Sequence, residues 1–209
     1  MKTTLGLLSL FLAFVVTGCS GDVSPASGGD TSGTEIEVGG STALQWGDGG
    51  YGVVLAHGAA FDAASWEEQA TAIAEQGATV IAVEDIAPES IQAAVESLKE
   101  DGHEDVALVG GSAGSDAILQ LASAQPDLPD QLVLLSPNTV VDGLGEEPKL
   151  FIASEDEPVA DVSQQLADAG PGDDNEVIML SGSDHAQNIF DGENAEEAMN
   201  AILERLDQG

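Results

Sequence analysis

The sequence predicts an α/β chain, with a mostly parallel central sheet of about seven or eight strands and helices on both faces. Three observations predict it. Short β-branched runs alternate with longer amphipathic ones along the chain, the order expected of a parallel sheet covered by helices. Two of the short runs, Val53-Val54-Leu55-Ala56 and Val106-Ala107-Leu108-Val109, are apolar on both faces, as buried parallel strands should be. The second leads straight into Gly110-Gly111-Ser112-Ala113-Gly114 and then into a helix-like run from Ser115 to Ala124.

The elements follow in chain order. Met1-Lys2 gives a short basic start, residues 5–16 are mostly apolar, and Val16-Thr17-Gly18-Cys19 closes the segment with small residues. So short an apolar stretch does not span a bilayer as a stable helix and reads as a signal-peptide core. The tetrapeptide resembles a lipobox, in which the cysteine is lipidated and becomes the first mature residue. An ordinary secretory signal cut near Gly18 or Gly21 is the alternative. The expectation is a lipoprotein signal peptide over 1–18, then lipidated Cys19 and an acidic Gly/Ser linker over 19–34. One domain over 35–209 would then lie at the extracytoplasmic face of the membrane, or be secreted. Cys19 is the chain's single cysteine, so an intrachain disulfide is impossible.

Within the domain, candidate strands cover 34–38, 43–46, 52–56, 79–83, 106–109, 131–135, 149–153 and 176–180. Candidate helices cover 64–76, 88–100, 115–124, 159–169 and 194–206. The first two strands suit a hairpin at the sheet edge. Pro88 can occupy a first helical turn, Gly77 and Gly102 follow helix ends, and Pro126 blocks continuation of the helix before it. The connection from Leu135 to Lys149 is short and turn-rich, leaving no room for a helical cap domain. A site built at this end of the sheet would be open to solvent.

Charge narrows the partners. Asp and Glu number 38 against four Lys and Arg, a formal net charge of −34. Binding nucleic acid needs a basic surface, so that partner is excluded. The acids are spread through the whole chain rather than gathered in a tail. Together with scarce lysine and few aromatics, this resembles adaptation to salt. Self-repulsion on this scale destabilises a compact state where screening is weak, so the domain should need roughly molar salt. A monomer is expected.

The chemistry starts at Ser112. A G-x-S-x-G turn between strand and helix holds a serine in a strained, exposed position. Side chains at Gly110 and Gly114 would clash where the strand and helix backbones approach each other. A serine hydroxyl needs a base, and the chain has three histidines. His103 lies in a charged turn and reads as a surface residue. His57 follows a buried strand. His185, in Ser181-Gly182-Ser183-Asp184-His185-Ala186-Gln187, lies just past the last strand, where open parallel sheets build their sites. The third member is a carboxylate that orients the imidazole. Asp156, in the loop after the preceding strand, is selected by position, with Glu155 and Glu157 as local rivals. The alternative role for Asp156 is a helix cap. Three scattered histidines and one cysteine form no zinc set, and the glycine turn lacks both P-loop and dinucleotide spacing. No cofactor is implied.

The elbow, the order Ser112, Asp156, His185, and the segment Leu55-Ala56-His57-Gly58-Ala59-Ala60 together resemble the α/β-hydrolase family over roughly 52–206. The likeness is greatest to its small lidless members, the dienelactone hydrolases and short-chain esterases. The resemblance implies an α/β-hydrolase fold without a cap, and a serine hydrolase acting on small ester-type substrates. It also implies an oxyanion hole from the N–H groups of Ala59 and Ala113, with His57 bracing the loop. Phe61, Trp66, Asn138, Ile189 and Phe190 are candidates to line a pocket, with a core role as the alternative for Trp66 and several others. A non-catalytic surface lipoprotein using the fold for binding, and a thioesterase, peptidase or carbon–carbon hydrolase with the same three residues, are the alternative functions.

Overall fold

A computed structural model describes residues 32–207. The expected signal peptide, Cys19 and most of the expected linker lie outside the described residues. The described chain opens at Ser32, whose backbone N–H and hydroxyl both donate to the Glu67 carboxylate.

The strands are β1 (Thr34–Val38), β2 (Ser41–Trp46), β3 (Tyr51–Ala56), β4 (Ala78–Val83), β5 (Val106–Gly111), β6 (Gln131–Leu135), β7 (Lys149–Ser154) and β8 (Asn175–Leu180). The helices are α1 (Glu67–Glu75), α2 (Pro88–Glu100), α3 (Ala113–Ala124), α4 (Ala160–Ala169) and α5 (Ala195–Leu206). All eight strands form one sheet in the order β1-β2-β4-β3-β5-β6-β7-β8. The first two pair as an antiparallel edge hairpin and β2 runs antiparallel to β4, while every other pairing is parallel.

Two apolar layers result from the alternation of side chains along each strand. Val53 and Leu55 of β3 and Ala107 and Val109 of β5 face one layer, with Ala70 and Ile73 of α1 and Ala198 and Ile202 of α5. Val54 and Ala56, Val106 and Leu108 face the other, beneath α2, α3 and α4. That is why these strands read as continuous apolar runs. Thirteen-residue α2 shows the same logic from the helix side: Ile91, Ala94, Val95 and Leu98 are all buried, at the spacing that makes one apolar stripe.

One helix differs from expectation. Residues 64–76 divide into a 3₁₀ turn, Ala63–Trp66, followed by α1. The Asp62 side chain accepts the Ser65 N–H and caps the turn. Fully buried Trp66 then anchors it, with its ring 6.1 Å edge-on from Phe190. A second 3₁₀ turn, Ala186–Asp191, follows β8. Between β6 and β7 the chain makes no helix, so the face above the parallel strands' carboxyl ends stays open.

Candidate active site

Three loops at the carboxyl ends of β5, β7 and β8 converge, and each is shaped by its own local constraint. Ser112 links β5 to α3 at φ 51° and ψ −110°, a backbone region that costs an ordinary residue free energy and persists only when the surroundings impose it. Here the imposition is visible. A Cβ on Gly114 would come within 2.1 Å of the Ala56 carbonyl oxygen, and one on Gly110 within 2.7 Å of the Ser115 nitrogen. The strand and helix can therefore close on each other only with glycine at both sites. The Ser112 N–H also donates to the Leu135 carbonyl at 2.9 Å, tying the turn to β6.

His185 follows β8. The Ser154 hydroxyl donates to the Asp184 carbonyl, and the Ala186 N–H donates to the buried Ser136 hydroxyl at 2.9 Å. Ser136 and Ala186 both have positive φ, 46° and 50°, so strained backbone meets at the bond that holds the residue after His185. The ring spans the site: Nε2 lies 2.8 Å from Ser112 Oγ and Nδ1 2.6 Å from Glu157 Oε2.

The carboxylate on His185 is thus Glu157, which corrects the expectation of Asp156. The cause is a tight turn after β7, in which the Glu157 N–H donates to the Ser154 carbonyl. Glu155 and Asp156 fill its two central positions, with their N–H groups donating to Leu180 and Gly182, and both are exposed. The next residue swings inward. Glu157 is 4% exposed, and its second oxygen accepts the Ser154 N–H at 3.1 Å. One carboxylate oxygen is fixed by backbone, so the other is aimed at the ring.

The loop after β3 carries His57, Gly58 and Ala59. His57 is buried, with Nδ1 2.8 Å from the Gly58 carbonyl and Nε2 3.1 Å from the Glu84 carbonyl. Its ring makes no hydrogen bond to Ser112 or His185. The N–H groups of Ala59 and of Ala113, in the first turn of α3, donate to no turn or loop carbonyl among the described residues. Gln187, which the sequence reading passed over, sets this loop. Its Oε1 accepts the Gly58 N–H at 2.7 Å and its Nε2 donates to Ser65 Oγ at 2.7 Å. Its only sequence signal is proximity to His185.

Of the pocket candidates, Trp66 and Ile189 belong to the core. Phe61 and Phe190 line a cavity of about 270 Å³ together with Ser65 and Gln187. Asn138 is exposed, 3.4 Å from Ser112 Oγ. Among the described residues no group of three or more His, Cys, Asp or Glu is placed to hold a metal.

Comparison with solved structures decides the fold. The chain superposes on a monoacylglycerol lipase from Paleococcus ferrophilus with TM-score 0.67 and 17% identity, covering 78% of this chain and 97% of that one. It has the α/β-hydrolase fold. Epoxide hydrolase A from Mycobacterium thermoresistibile gives TM-score 0.65 at 16% identity, covering 85% and 98%. The thioesterase domain from the curacin biosynthetic pathway gives 0.59 at 14%, covering 83% and 100%. No protein-family model and no curated protein sequence matches the chain. Three chemistries on one α/β-hydrolase scaffold mean that the site, and not the fold, must argue the reaction.

Proposed function

We propose that the protein is a serine hydrolase that cleaves carboxylic esters through an acyl-enzyme on Ser112. One observation carries the reading: the unbroken line Glu157–His185–Ser112, with contacts of 2.6 and 2.8 Å, ending on a serine in strained backbone. His185 Nε2 takes the hydroxyl proton as Ser112 Oγ attacks the ester carbonyl carbon. The carbonyl oxygen becomes an oxyanion held by the N–H groups of Ala59 and Ala113, each such donor contributing on the order of a hundredfold in rate. Glu157 holds the imidazole in the tautomer that leaves Nε2 free and stabilises the imidazolium. His185 then returns the proton to the departing alcohol. A water, deprotonated by His185, attacks the acyl-serine, and the acid leaves as Ser112 regains its proton.

An attacking serine suits a carbonyl substrate. It leaves an ester, which water can cleave, whereas opening an epoxide would leave an ether, which water cannot. The open face above β6 and β7 fits small esters better than enclosed, fully desolvated ones. An intact three-residue line favours catalysis over a pure binding module. The same proposal puts the domain outside the cell, held by a lipid on Cys19, so a Cys19→Ser variant should leave the membrane fraction.

Hydrolysis of a short-chain ester in concentrated salt tests the reading. Ser112→Ala and His185→Ala should each remove turnover by roughly a thousandfold or more with unfolding temperature nearly unchanged. Turnover that survives in folded Ser112→Ala would refute it.

A further inference from the structure

The loop that replaces a cap is pinned directly beside the nucleophile. Asp116, in the first turns of α3, accepts four hydrogen bonds from it. Oδ1 takes the backbone N–H groups of Asn138 and Thr139 at 2.9 and 3.2 Å and the Thr139 hydroxyl at 3.1 Å. Oδ2 takes Asn138 Nδ2 at 2.9 Å. An ionised carboxylate only accepts, so this contact fixes which end of the amide faces it: nitrogen, not oxygen. The second amide proton is left for Ser112 Oγ, 3.4 Å away. Three of these donors hold the loop on Asp116, and the fourth, from Nδ2, sets the orientation of the amide that the loop carries.

We propose that Asn138 is a catalytic hydrogen-bond donor to the Ser112 oxygen, with Asp116 as its positioning residue; the proposal rests on Ser112 being the nucleophile. In the resting site Oγ donates to His185 and accepts from Asn138. As the proton passes to His185, negative charge grows on Oγ, and the Asn138 N–H is the donor already facing it. A long contact of this kind shortens when its acceptor gains charge. Deacylation uses the donor in reverse. When the second tetrahedral intermediate collapses, the carbon–Oγ bond breaks, its electron pair passes to Oγ, and His185 supplies the proton. Asn138 stabilises that departing oxygen. Ala59 and Ala113 serve a different atom, the carbonyl oxygen, so this donor adds to the oxyanion hole without duplicating it.

The role predicts a loss in kcat and in nucleophile reactivity without a matching change in KM. The deciding variant exchanges the pair, Asp116→Asn with Asn138→Asp. Residue 116 keeps an oxygen for the three other loop donors, and the side chains still share one N–H···O bond, now reversed. The group facing Ser112 Oγ becomes a carboxylate, which cannot donate. We expect the rate of fluorophosphonate labelling and kcat for a short-chain ester each to fall about tenfold or more, with KM and unfolding temperature in concentrated salt close to wild type. Asn138→Ala, which keeps the other three bonds to Asp116, should show the same loss and decides the matter if the exchanged pair does not fold. Wild-type labelling and kcat in either folded variant would overturn the proposal. Failure of the underlying reading looks different, because the wild-type protein itself would then take no label.

Discussion

At the scale of single residues, three consecutive acids, Glu155, Asp156 and Glu157, separate what a sequence tells from what it withholds. Placing an acid after β7 was legible, because chain order and strand position select that loop. Choosing among the three was not, because the choice depends on a turn whose N–H groups pair with the carbonyls of Leu180, at the end of β8, and Gly182, just past it. A weak signal was present: Pro158 disfavours helical backbone at Glu157, which keeps that residue in the turn and out of α4. Gln187 is a similar case, since its partner Gly58 lies 129 residues away. The geometry makes a separable prediction. Glu157→Gln should lower kcat by roughly a hundredfold or more, because the amide no longer holds the productive tautomer. Asp156→Asn, altering an exposed side chain, should leave kcat near wild type. Steady-state kinetics of the two variants in concentrated salt check it, and the reverse pattern would restore Asp156.

At the scale of elements, all eight strands and the edge hairpin were readable, the central ones because doubly covered strands leave continuous apolar runs. The 3₁₀ break at Trp66 was not, because helical periodicity continues across it, while the Asp62 cap and the packing of Trp66 on Phe190 leave no periodic mark. The β6–β7 connection holds a feature no local pattern announces. Lys149, fully buried, donates from Nζ to the carbonyls of Gly145, Glu147 and Pro171, with the Glu147 carboxylate 3.7 Å away. Burial holds the Glu147 carboxyl above its ordinary range and the Lys149 ammonium below its own. For Glu147 the native state therefore binds the proton more tightly than the unfolded chain. Its contribution is greatest below the ordinary value of 4.5 and is lost as pH rises through the native value. Glu147→Gln should remove that component, flattening the fall in unfolding temperature above pH 4.5. An unchanged slope would show that Glu147 is not its source.

At the scale of the molecule, the Lys and Arg side chains among the described residues all face acids of the fold. Arg205, 4% exposed, meets Asp174 and Glu176 at 2.8 Å each, and Lys99 faces Asp130 at 3.5 Å. With 38 Asp and Glu against four Lys and Arg in the sequence, repulsion between the acids is expected to fall as solvent ions screen it. Unfolding temperature should climb as salt is raised from dilute buffer to roughly molar concentration, and a flat dependence would remove salt adaptation from the account. Any test of function must accordingly be made on protein shown to be folded in salt. The most direct is intact mass after exposure to a fluorophosphonate in concentrated salt, comparing wild type with Ser112→Ala. The account predicts one adduct on the wild type and none on the variant. A folded wild-type protein that takes no adduct, or a variant that still takes one, would contradict it and leave the turn at Ser112 as a connection between strand and helix.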